Sequence, residues 1–167
     1  MNSFINSQFG YCYLVWMFCS RKLNHRINHI HERALRIVYN DYSSTFEDLL
    51  NKDNTVTIHE RNIQKLAVEL YKIVNNLAPK IMHEVISLKV MTRYPRESIF
   101  LTRNIKSVKF GEDTIAHLGP KIWNIIPESI KDEPTLIGFT KKIKQWKPTT
   151  CPCRLCKRYV SVVGFFS

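Results

Sequence analysis

Apolar residues recur along most of the chain at helical spacing, and few stretches alternate as a half-buried strand would. The first segment, Ser3 to Ser20, reads as a very apolar helix that needs neighbours on several sides. A helix from about Leu23 to Tyr39 follows, with Leu23, Ile27, Ile30, Ala34 and Val38 along one side. Residues 40–44 break the pattern, and Ser44 with Glu47 has capping-box spacing for a short helix through Leu50. Thr57 and Glu60 repeat that start signal. The helix they open is the clearest in the chain: Ile63, Leu66, Ala67, Leu70, Ile73, Val74 and Leu77 share about 120° of arc. Pro79 is expected to mark its end, and residues 80–88 to form a further short helix.

From Lys89 to Ser107 periodicity disappears around Pro95, and the segment reads as a basic linker. A short strand over 107–110 is expected, then a Gly111-Glu112-Asp113 turn. Gly119-Pro120 is expected to start a compact helix with Ile122, Trp123 and Ile126, stopped by Pro127. The last helix, Pro134 to Trp146, should bury Leu136, Phe139, Ile143 and Trp146. The fold class expected is mainly α: a small helical bundle with a basic linker, at most a short hairpin or strand near 105–115, and an irregular cysteine-rich tail. The organisation expected is a helical region over 1–88, a linker over 89–108, a small helical subdomain over 109–147 and a tail over 148–167. No internal repeat is apparent.

Composition adds a direction to this picture. Lys and Arg number 25 against 14 Asp and Glu, a formal net charge of +11, and no acidic residue follows Glu133. Such a surplus attracts phosphate backbones or anionic membranes, although a solvated basic tail has the same composition. The basic side of the Leu23–Tyr39 helix carries Arg21, Lys22, Arg26, Arg33 and Arg36; Lys141, Lys142 and Lys144 project from the last helix, and Arg154, Lys157 and Arg158 lie in the tail. Trp146 and Tyr159 are candidates for stacking on bases, although Trp146 fits the apolar face of its helix, where such a residue is more often core.

The 11-residue apolar run from Phe9 to Cys19 is too short to span a bilayer. It has no basic residue before it and no small-residue cleavage site after it, so neither a membrane partner nor a secretory signal is expected. The location expected is intracellular, nuclear or cytoplasmic, and the five cysteines read as thiols or metal ligands rather than a disulfide framework. Cys151, Cys153 and Cys156 can converge on one soft cation, and the flanking basic residues favour thiolates. A structural zinc site normally takes four ligands, so the fourth would come from upstream, with Cys19, His25, His83 and His117 as candidates. Redox-sensitive thiols are the competing reading. His25 and His29 lie one helical turn apart with no local third ligand.

The acidic pairs are Glu47-Asp48, Glu112-Asp113 and Asp132-Glu133, each at a helix start or turn. No Asp-Asp pair and no phosphate-cradling glycine loop is present, so no two-metal polymerising site is expected. No small-molecule substrate is evident.

Read in order, FGYCYLVWMFCSRKLNHRINHIHERALRIVYNDYSSTFEDLL, TIHERNIQKLAVELYKIVNNLAPKIM, FGEDTIAHLGPKIWNIIPESIK and FTKKIKQWKPTTCPCRLCKRYVSVVGF resemble the region after the polymerase core in LINE-type (non-LTR), jockey-like reverse transcriptases. The resemblance covers nearly the whole chain. It implies a thumb-like helical region and a basic extension that help hold RNA template and DNA primer, with RNA or an RNA–DNA hybrid as partner. Tyr13 departs from the proline the family carries there, easing helix continuation, and the family's aromatic-Ala-Asp-Asp block is absent. The expectation is therefore a truncated, non-catalytic fragment lacking the parent's polymerase core. A zinc-stabilised protein-interaction module and a non-functional remnant are the alternatives.

Overall fold

A computed structural model describes residues 5–88, 99–101, 111, 114–148 and 151–153. The described chain is mainly helical: α1 (Ile5–Gly10), α2 (Tyr13–Trp16), α3 (Arg21–Tyr39), α4 (Phe46–Lys52), α5 (Ile58–Val74), α6 (Lys80–Val85), α7 (Ile115–Ile125), α8 (Glu128–Lys131) and α9 (Leu136–Gln145). None of these helices is long and apolar enough to cross a membrane. The expected strand over 107–110 lies outside the described residues. The β pairing among those described is an isolated antiparallel bridge between Leu88 and Phe100.

The chain forms two compact units, residues 1–62 and 63–167, with the boundary inside α5. In the first unit, the expected single helix over 3–20 is broken. Cys12 takes a left-handed conformation (φ 46°) between α1 and α2. That costs a non-glycine residue local energy and ends the ladder despite the missing proline. Tyr11 and Val15 are exposed, whereas Met17 is buried.

Helix α3 starts at Ser20, whose side chain accepts from the Leu23 N–H, and ends at left-handed Asn40. Its buried residues are Asn24, His31, Ala34 and Leu35. This corrects the expected apolar side, because Leu23, Ile30 and Val38 are about half exposed. Leu35 packs with Leu49 and Leu50 of α4, flanked by Tyr39 and Phe46. The α4 capping box is Thr45 with Asp48, one residue later than the expected Ser44–Glu47 pair. Ser44 instead binds Asp41 through both its N–H and hydroxyl.

Helix α5 opens as its sequence predicts. The Glu60 carboxylate accepts from the Thr57 N–H at 2.9 Å and hydroxyl at 2.8 Å, and Thr57 Oγ1 accepts from the Glu60 N–H. In the second unit, its Ile63, Leu66, Ala67, Leu70 and Ile73 are completely buried. At about 1.5–3 kcal/mol per fully buried large aliphatic chain, this stripe is a principal source of stability. The helix ends at Val74 rather than at Pro79: Asn76 is left-handed (φ 56°), Leu77 is exposed, and Pro79 precedes α6.

Helix α7 also departs from expectation. It begins at Ile115, four residues before Gly119, so Pro120 lies inside it. Proline there removes one ladder donor, and burial of Leu118, Ile122 and Trp123 holds the helix together. Gly119 is buried where an added Cβ would lie 3.4 Å from Ile86 Cδ1 and Leu70 Cδ2. Phe139 of α9 stacks between Tyr71 and Trp123, with ring centroids 4.3 and 6.2 Å away, and Phe100 meets Trp123 edge-on. Tyr71 also donates its hydroxyl to the Glu133 carbonyl at 2.7 Å. Leu136 and Trp146, expected in the core, are only half-buried.

Candidate functional site

Two features carry chemistry: a thiol–imidazole group built on α5, and the basic outer face of α3. The first begins with Gln64, on the second turn of α5. Its side-chain amide donates to the Lys144 carbonyl at 3.3 Å and to the Trp146 carbonyl at 2.7 Å. Those carbonyls close the end of α9, where the helical ladder leaves acceptors unmatched. The exit of α9 is thereby tethered to α5. His59, in its first turn, lies about 7 Å of helical rise before Gln64.

There Cys151, Cys153 and His59 come together, each offering one ligand atom, with all three atoms within 4.8 Å of one another. Cys153 and His59 are buried and Cys151 is half-buried. The three groups sit close enough to hold a metal ion. Nitrogen and two sulfurs form a donor set compatible with structural zinc.

The residue missed in the sequence was His59. The expected thiols Cys151 and Cys153 do converge, and Cys156 lies outside the described residues. Cys19, His25, His83 and His117 do not join them among the described residues. The signal available for His59 was weak: an imidazole one turn into a strongly capped helix.

The basic residues divide by what they touch. On α3, Lys22, Arg26 and Arg33 are exposed and make no ion pair among the described residues; with His29 they share about 60° of helical arc. Arg21 is exposed on the same helix. Arg36 is committed internally, donating to Glu32 Oε1 at 2.7 Å and to the Asp41 carbonyl at 3.4 Å. That pairing neutralises Glu32, the one acidic residue of α3. A shallow groove of about 340 Å³ runs beside the stripe, lined by His29, Glu32, Arg33, Arg36, Ile37 and Tyr42.

On α9, Lys142 is held by Glu133 at 2.6 Å, while Lys141 and Lys144 are exposed. Arg154, Lys157 and Arg158 lie outside the described residues. No protein-family model, curated protein or solved structure matches the chain.

Proposed function

We propose that the chain is a non-catalytic nucleic-acid-binding module of the type that follows the polymerase core in LINE-type reverse transcriptases. The observation that carries this reading is the stripe of exposed Lys22, Arg26 and Arg33 on α3, with Glu32 neutralised by Arg36. Eleven residues of helix extend the stripe over about 16 Å, enough to meet several phosphates of one strand. The ordered sequence resemblance gives RNA or an RNA–DNA hybrid as the partner. Phosphate contacts of this kind give salt-dependent and weakly sequence-specific binding. The test is a titration of labelled RNA and RNA–DNA hybrid at rising salt. Tight binding at low salt that weakens steeply is expected, and absence of binding at the lowest salt removes the reading.

The convergence of His59, Cys151 and Cys153 favours a second element, structural zinc that stabilises the module. Zinc-supported folding predicts near-stoichiometric metal in the purified protein and a lower melting temperature after chelation. Metal-free protein with unchanged melting contradicts it.

A further inference from the structure

We infer that the nucleic acid met by α3 is single-stranded, with its phosphates on Lys22, Arg26 and Arg33 and its unpaired bases against an apolar row of Leu23, Ile30, Ile37 and Tyr42. This rests on the nucleic-acid reading and names the form of the ligand. Leu23, Ile30 and Ile37 recur every seven residues along α3 and are 49%, 55% and 70% exposed, and Tyr42, just beyond the helix, is 69% exposed. At 100° per residue the three helical positions share about 40° of arc, directly beside the arc of the three cations. Arg26 with Ile30 and Arg33 with Ile37 form the same pair twice, about 10.5 Å apart along the axis. Each pair lines a shallow groove. The first, of about 280 Å³, includes His25 and His29, and the second, of about 340 Å³, includes His29 and Tyr42. Glu32, also on the second groove, is neutralised by Arg36 at 2.7 Å.

A duplex offers phosphates to the cations but little to the apolar row, because its base faces are covered within the stack. Unpaired bases expose those faces and stack on aromatic side chains and Arg guanidinium planes. Charge alone ranks the two forms the other way, since a duplex carries the denser row of phosphates. A membrane fits the face less well. Lys22, Arg26 and Arg33 stand opposite the buried Asn24, His31 and Leu35 and so point farthest outward, whereas a helix lying on lipid turns its apolar side to the acyl chains.

The experiment measures fluorescence anisotropy of the full chain, at low salt, with an unstructured single-stranded RNA and with the same strand annealed to complementary DNA. Wild type is expected to bind the single strand roughly tenfold tighter. An Ile30→Ser, Ile37→Ser, Tyr42→Ser triple variant, altered only at exposed positions, should lose that preference while keeping its affinity for the hybrid and its salt slope. Vesicles of anionic phospholipid are expected to bind weakly and without dependence on these three side chains.

Equal affinity for both forms in wild type, or tighter binding of the hybrid, overturns the single-strand inference and leaves nucleic-acid binding standing. An unchanged preference in the triple variant, or vesicle binding that the variant abolishes, overturns the role of the apolar row. If the variant loses its helical circular dichroism, the wild-type preference decides. Absence of binding to either nucleic acid at the lowest salt overturns both this inference and the reading it rests on.

Discussion

His31 is the residue whose surroundings conflict most with its chemistry. It is completely buried, both ring nitrogens lack a hydrogen-bond partner, and its ring meets Phe46 edge-on at 5.7 Å and Phe9 at 6.4 Å. Burial brings its pKa down to about 4, with the Arg61 charge adding to the effect and Asp53 opposing it. The native state therefore holds this imidazole neutral, whereas the unfolded chain protonates it near 6.5. Its contribution to stability is full above about 6.5 and is lost as pH falls towards 4. Melting temperatures measured across this range should drop with acid, and His31→Leu should flatten that slope. At neutral pH the leucine should be neutral or stabilising by about 1 kcal/mol, since no hydrogen bond is broken and a buried unpaired group is removed. An unchanged acid slope in His31→Leu would place the sensitivity elsewhere.

The same residue shows where sequence reading stops. Leu23, Ile30 and Val38 look like a core stripe by spacing, yet it is His31, Asn24 and Leu35 that face inward. Periodicity identifies a helix but gives no information on which of two adjoining faces meets a neighbour. The Thr57–Glu60 box was legible because its partners are three residues apart and compete with nothing. The preceding stretch, Ser44-Thr45-Phe46-Glu47-Asp48, contains two overlapping boxes, and Asp41 decides between them by engaging Ser44.

Among the elements, α5 does the most. Its apolar stripe anchors the second unit, its capping box fixes its start, and Gln64 ties down the end of α9. Leu70→Ala should cost about 2–5 kcal/mol, because Leu70 is completely buried and lies beside Gly119 of α7. Thr57→Ala should cost about 1 kcal/mol by removing one side of the cap. Urea unfolding of the two variants measures both, and a Thr57→Ala loss as large as that of Leu70→Ala would contradict this ranking. Helix α5 was readable because local propensity, capping and burial agree along it. Helix α7 was not, because Gly119-Pro120 resembles a helix start. Tertiary burial of Leu118 and Ile122 carries that helix through the proline.

For the molecule as a whole, the charge and the candidate metal-binding group were partly legible. Net charge of +11 was plain from composition. Which basic residues are available was not, since Arg36 and Lys142 are committed to Glu32 and Glu133. The two tail thiols were legible as candidate ligands by proximity, whereas His59 required the fold. The proposed phosphate-binding stripe is the exposed Lys22, Arg26 and Arg33 of α3. Its most direct test compares the salt dependence of RNA affinity in wild type and in a Lys22→Ala, Arg26→Ala, Arg33→Ala triple variant. Fluorescence anisotropy should show weaker binding by the variant and a log–log salt slope shallower by about 2, since each single-strand phosphate contact contributes roughly 0.7. Equal slopes and affinities in the two proteins would contradict the assignment of this face.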